Sequence, residues 1–425
     1  MPLKKSTKER NVKSAQKGVQ SINEKLKNFL KLYETHCKSL GSAVDNHLKD
    51  ELKKYADDCK LLVRFTLQAQ EPSLSESPIK LTPLIKTIRA LWYKAVTELY
   101  FWDLCLPYKE IAALETFLAQ PIYSVEYVEF LNCKLDAYSM ERLSRCLPVN
   151  NFLRTLVLDF TKLNDEGLMS LSNGFQSSTC ITKLSLCFCG FTSRSGSVLG
   201  QMVTQSAVNE LYVDGNMLEC DGLVELIRLV VNQAEIDAAE RQRIKEEEEL
   251  LIQTAVSEND KPVYSKHIIP AKSDTRKPPV SGRSLIAKKG KKKKKKKSGL
   301  KKEPARVGAW LDVLHIADNG IDNFTVNSDN VPLEVMRLLK RWIVNSSNLK
   351  EIDLDDNLIG ELGGREILSA LQSRKEAGLK PIHMKVTHRM ETDTFNKINS
   401  LASGSTKRGK KKKKKKNGKS GKRRV

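Results

Sequence analysis

Apolar residues recur along this chain in one repeating head, Leu-x-x-Leu-x-Leu-x-x-Asn/Cys-x-Leu. It runs through Val125, Val128, Phe130, Cys133 and Leu135, then Leu153, Leu156, Leu158, Thr161 and Leu163, then Ile181, Leu184, Leu186, Cys189 and Phe191, and again from Val208 to Leu218, with starts 28, 28 and 27 residues apart. After a gap the head returns at Leu311, Leu314, Ile316, Asn319 and Ile321 and at Leu349, Ile352, Leu354, Asn357 and Ile359. A degenerate opening unit fits Val96, Leu99, Phe101, Leu104 and Leu106, and a closing one fits Leu379, Ile382 and Met384. The alternation inside each head predicts a short strand with its apolar side chains turned to one face. Each second half, as in Met140, Leu143 and Leu147, is spaced by three and four and predicts an amphipathic helix. The Asn, Cys or Thr of the slot has a short polar side chain, able to satisfy backbone groups where the chain bends away from the strand.

A strand plus a full helix in 28 residues resembles the ribonuclease-inhibitor-like class of leucine-rich repeats. The expected fold is therefore α/β, a solenoid of short parallel strands with outer helices. One unit after Val208 should begin near residue 236, but the head reappears at Leu311, so some 75 residues interrupt the array. This layout, with a helix running into a lysine-rich insertion before the repeats resume at Trp310, is similar to that of a family of such proteins from ciliated and flagellated cells.

Ahead of the repeats, Val19, Ile22, Leu26, Phe29, Tyr33, Cys37, Leu48, Leu52, Leu62 and Phe65 fall on one stripe. This predicts a long helix or a helical hairpin broken at Gly41, and the stripe serves either self-association through residues 19–65 or a cap on the first repeat. The whole chain then divides into a basic disordered leader (1–17), the amino-terminal helix or hairpin (18–70), a first repeat block (84–232), a charged helix (233–255), a disordered lysine-rich insertion (256–306), a second block (307–400) and a disordered lysine-rich tail (401–425).

Charge sharpens this division. The chain of 425 residues has a formal net charge of +22, yet the segments 283–306 and 407–425 carry +12 and +13, leaving the other 382 residues at −3. A polyanion-binding body is thereby disfavoured, and the cationic work falls to the two tracts. Lys291, Lys292, Lys293 and Lys294, like Lys410, Lys411, Lys412 and Lys413, lie in runs without an aromatic residue to stack on bases. They suit nucleic acid phosphates, nuclear or nucleolar import, or acidic protein surfaces such as tubulin tails, all with steep salt dependence.

Chemistry is otherwise sparse. Phosphate-binding glycine loops, nucleophile elbows, H-E-x-x-H and C-x-x-C are absent, so no catalytic residue, metal or cofactor is expected. No apolar run reaches the length of a membrane span, and nine cysteines fit a reducing compartment. What the repeat offers is a surface: residues between the inward positions should face the concave side. Trp102, Phe160, Phe188 and Tyr212 are the expected aromatic anchors, with Asp214, Asp318, Asp353, Asp355 and Asp356 as an acidic continuation. The expected function is a non-enzymatic, cytoplasmic scaffold that holds a protein partner there; the resemblance implies a ciliary or flagellar axoneme. The alternative is a nuclear or nucleolar RNA-associated protein led by its lysine tracts.

Overall fold

The computed structural model of the protein describes residues 7–69, 78–176, 178–259, 306–322 and 331–402. The chain opens with helices α1 (Thr7–Ser39) and α2 (Asn46–Asp57), strand β1 (Arg64–Gln68) and helix α3 (Thr82–Ala90). Strand–helix pairs follow: β2 (Glu98–Trp102) and α4 (Tyr108–Leu118), β3 (Tyr127–Leu131) and α5 (Ala137–Ser144), β4 (Thr155–Val157) and α6 (Asn164–Ser172), β5 (Lys183–Ser185) and α7 (Ser195–Gln205), β6 (Glu210–Tyr212) and α8 (Glu219–Asn259). The last three are β7 (Val313–His315) and α9 (Pro332–Asn345), β8 (Glu351–Leu354) and α10 (Gly360–Glu376), β9 (His383–Val386) and α11 (Thr392–Ala402).

Among the described residues nine strands form one parallel sheet in chain order. The leucine-type positions are its inner side: Leu99, Phe101, Val128, Phe130, Leu156, Leu184, Leu211, Leu314, Ile352 and Met384 are buried, against helix residues such as Leu114, Leu143, Leu199 and Leu226. Each side chain so removed from water is worth about 1.5–3 kcal/mol, which is why the spacing of apolar positions alone fixes the repeat.

The slot residues act as the spacing implied. Asn216 donates from Nδ2 to the carbonyls of Val213 (2.7 Å) and Leu186 (3.1 Å), and its Oδ1 accepts from the amides of Cys189 (3.0 Å) and Phe191 (3.1 Å). Asn357 repeats this with Ile316 and Leu354 as acceptors and Asn319 and Ile321 as donors. Cys133 and Cys189 use their thiols, each 3.2 Å from the carbonyl of Phe101 or Leu158. These asparagine and cysteine side chains thus bridge their own turn and the preceding strand, whereas the Thr161 hydroxyl donates within its own turn to Asp159 (3.4 Å).

Two expectations are corrected at the amino terminus. The helical stripe does not run to Phe65: residues 64–68 are β1, paired in parallel with β2 from Arg64 opposite Glu98 to Gln68 opposite Trp102. The cause is the period-2 order Arg-Phe-Thr-Leu-Gln, which sends Phe65 and Leu67 inward, where Phe65 meets Phe29 and Tyr93 at ring distances of 5.4 and 5.7 Å. Nor does the whole leader lack structure, since α1 begins at Thr7; the segment from Thr7 to Lys17 holds neither glycine nor proline and is rich in Lys, Arg and Gln. The hairpin does break at Gly41, whose φ is +59°. Leu26, Phe29, Tyr33, Cys37, Leu48 and Leu52 are buried within this chain, and α1 packs on α2 and α3, so these residues of the stripe cap the array. Asp45 ties the cap down, its carboxylate accepting from the amides of Leu48 (2.8 Å) at the start of α2 and Gln68 (2.7 Å) at the end of β1.

The array closes across its interruption. Glu210, Leu211 and Tyr212 of β6 pair directly with Val313, Leu314 and His315 of β7. Helix α8 prolongs its repeat through the charged segment and on to Asn259, past the expected end at residue 255, and Glu235 near its middle holds Arg341 of α9 in a two-pronged contact of 2.7 and 2.8 Å. Residues 239–304 form a second unit, whose described part is exposed helix with near-neighbour pairs such as Arg243 to Glu240 (2.7 Å). Residues 260–305 of the insertion, with Lys291 to Lys294, and 403–425 of the tail, with Lys410 to Lys413, lie outside the described residues. Among the described residues no helix is long and apolar enough to cross a membrane.

Candidate protein-binding face

Because every strand is in register, the outward residues of the sheet line up in rows that run along the whole solenoid. The middle row reads Thr66, Tyr100, Glu129, Val157, Ser185, Tyr212, His315, Asp353 and Lys385. Its first part is an aromatic–carboxylate mosaic. Arg64 donates to Glu98 (2.7 Å) and lies 4.9 Å over the Tyr100 ring, which stacks on Tyr127 at 4.9 Å. Glu129 takes hydrogen bonds from Trp102 Nε1 (2.8 Å) and from the Tyr127 hydroxyl. Burial, followed by the charge of Glu98, pushes the Tyr100 hydroxyl up to about 12.

Further along, Lys183 sits 4.3 Å above the Tyr212 ring, whose other neighbour is His315 at 4.5 Å. His315 has Glu351 3.2 Å from Nε2 and Asp214 and Asp353 at 3.8 and 3.9 Å from Nδ1. His383 also reaches Glu351 (3.2 Å), and Lys385 pairs with Asp353. Burial of His315 works against its cation, but the nearby carboxylate of Asp214, helped by Asp353 and Glu351, outweighs it and raises the imidazole above its usual pKa. A raised folded pKa stabilises the protonated fold: the contribution is complete below the unfolded value of 6.5 and fades as pH climbs through the higher folded one. The melting temperature should therefore fall across that window in the native chain, and His315→Gln should flatten the slope; an unchanged slope in the variant would assign it to another group.

The expected anchors separate into two places. Trp102 and Tyr212 stand half-buried in their strands, whereas Phe160 and Phe188 lie past the strand ends, five residues after each strand begins, with φ of +56° and +55°. Asp103, Asn132, Gly215, Asp318 and Asp356 occupy the same step with positive φ. Asp, Asn and Gly tolerate that left-handed backbone; phenylalanine does so at a cost of about 1–3 kcal/mol. The two rings stack at 4.7 Å with planes 7° apart, and they are 49 and 44% exposed. Asp353 is buried under Lys385, while Asp318, Asp355 and Asp356 are exposed and Asp214 is half-buried, accepting from the Ala317 amide (2.8 Å). Cys187 beside them is kept a thiol, pushed up to about 12 by burial and then by Asp159.

Sequence reading missed two things here. The Asp214–His315–Glu351 cluster joins residues on either side of the insertion and becomes visible only once β6 is known to pair with β7. Arg374, buried in α10, sat unremarked, although it stands seven residues after Ile367 on that helix's apolar face.

Nine parallel strands, outer helices and the ladder of slot side chains define a leucine-rich repeat solenoid of the ribonuclease-inhibitor-like class. The chain is 27% identical to the ribonuclease inhibitor of Sus scrofa over 215 residues, 46% of each chain. It is 31% identical to NACHT, LRR and PYD domains-containing protein 12 of Homo sapiens over 108 residues, 25% of this chain and 10% of that one. It thus spans under half the length of the first relative and a tenth of the second. No family model matches the chain.

Proposed function

We propose that the protein is a non-enzymatic scaffold that holds a protein partner on the outward rows of its sheet. The observation that carries this reading is the continuity of those rows: β6 and β7 pair across the insertion, so aromatic and carboxylate side chains from Arg64 to Lys385 form one surface. Large aromatic side chains with a polar tip dominate protein interfaces, and Tyr100, Trp102, Tyr127 and Tyr212 are of this kind. The relative named for inhibiting ribonuclease lends the same reading support by analogy. The layout resembles leucine-rich repeat-containing protein seventy-one, which points to a ciliary or flagellar axoneme. Lys291 to Lys294 and Lys410 to Lys413 would then attach the scaffold to acidic surfaces such as tubulin tails.

A photo-reactive phenylalanine analogue placed at Trp102 or Tyr212 in the full chain is expected to crosslink one common protein in ciliated cells, while the same probe at exposed Lys375 on α10 does not. Equal crosslinking from all three positions would reject the face. Crosslinks to RNA, with loss of nuclear retention on deleting residues 288–302 and 407–425, would favour the nuclear or nucleolar alternative.

A further inference from the structure

The steps beyond the strand ends carry more information than a generic interaction surface. Backbone hydrogen bonds continue the ladder past the strands, from the Phe160 amide to Cys187, Phe188 to Asp214, Gly215 to Ala317 and Asp318 to Asp355, at 2.8 to 3.0 Å. The ridge is therefore built as firmly as the sheet. On it, Phe160 and Phe188 hold a backbone conformation unsuited to their side chains, and their rings remain exposed. Room is made for them: a Cβ on Gly215 would stand 2.1 Å from the Phe188 ring. The charge of the ridge is acidic, from Asp103 at its first repeat onwards. From Phe188 towards the last repeats come Asp214, Asp318, Asp355 and Asp356, with no Lys or Arg in the two rows they occupy. On the other side, Lys134 and Lys162 stand with Asp103 and Asp136 in the groove next to Phe160.

We infer that this ridge docks an arginine-rich segment of another protein, with one guanidinium against the Phe160–Phe188 pair and others on the aspartates. The inference rests on the scaffold reading and adds the chemistry of the partner. Unlike the lysine ammonium, a guanidinium has a flat face to lay on an aromatic ring while its edge still donates to carboxylates. Strands lie about 4.8 Å apart and an extended chain advances about 3.3 Å per residue, so an arginine roughly three residues beyond the one at Phe188 would meet Asp318, two strands on, with Asp356 on the strand after it.

The test uses the full chain and two fluorescein-labelled peptides of serine, one with arginine and one with lysine at every third position. The arginine peptide should bind about tenfold tighter than the lysine peptide, and should weaken about tenfold in Phe160→Ala/Phe188→Ala and again in Asp318→Asn/Asp356→Asn. Asparagine tolerates the left-handed backbone, so the second pair removes charge without disturbing the ridge. Equal binding of both peptides, indifference to either double substitution, or binding only after deletion of 288–302 and 407–425 would overturn the inference. The last outcome would mean that the chain's own lysines occupy the ridge. A partner crosslinked from Trp102 and Tyr212 that lacks a basic segment would leave the scaffold standing and remove this inference alone.

Discussion

Arg374→Met should lower the stability of the second repeat block by about 3–5 kcal/mol, the largest loss expected from a single residue of the array. Arg374 is 1% exposed. Its Nε donates to the Lys380 carbonyl (2.7 Å), Nη1 to those of Ile343 (2.7 Å) and Ser346 (2.6 Å), and Nη2 to that of Leu349 (3.2 Å). Two of these acceptors belong to the carboxyl-terminal end of α9, which has no further turn to satisfy them and carries the negative end of the helix dipole. The others lie on the approaches to β8 and β9. One guanidinium therefore sews three elements together, and methionine would keep much of its volume while leaving three buried acceptors and a part-buried one without it. Solenoid repeats are coupled mainly to their neighbours, so the loss should be local. Hydrogen exchange is expected to speed up in β8, α10 and β9 while β2 to β5 keep their protection. A uniform loss along the array, or one below about 1 kcal/mol, would contradict this account.

Arg374 also marks where sequence reading stops. The period of 28 residues located the strands from β2 to β9 because each repeat demands the same apolar positions, and burial at those positions outweighs local preference. It missed β1, since Leu62, Phe65 and Leu67 fit the tail of a helical stripe as well as the head of a repeat. A buried arginine binding carbonyls has no period at all; its only trace is a charge on the Ile367, Ala370 and Leu371 face of α10. The face itself was legible in part. Strand alternation located Trp102 and Tyr212, but Phe160 and Phe188 belong to a bend, and bends are written in backbone tolerance and not in hydrophobicity. The signal was present all the same: Asp103, Asn132, Gly215, Asp318 and Asp356 stand at one offset from the strands, and two phenylalanines in that series are out of character.

Asn319→Ala should cost about 2–4 kcal/mol and part the array at the β6–β7 seam. This seam differs from the others because its two sides are joined by the longest connection in the array. Asn319 Nδ2 donates to Val213 across it (3.0 Å) and to Ala317 (3.0 Å), its Oδ1 takes the Leu218 amide (3.4 Å), and its own carbonyl accepts from Glu219 (2.9 Å). Elsewhere a strand that loses its slot side chain stays tethered to its neighbour by a short loop and re-forms at once. Across the seam the tether is long, and closure entropy must be met each time the second block docks. The substitution should therefore split thermal unfolding into two transitions, while Asn216→Ala, whose partners Leu186, Val213, Cys189 and Phe191 all lie in the first block, should lower one. Replacing residues 260–305 with a short Gly-Ser linker in the Asn319→Ala chain should draw the two transitions back together, since each halving of the loop returns about 0.6 kcal/mol. If the transitions stay apart after that shortening, the seam is weak for reasons other than its tether. A single transition in Asn319→Ala from the outset would mean that the contacts of Glu235 with Arg341 and of Asp214 with His315 hold the two blocks without the slot asparagine.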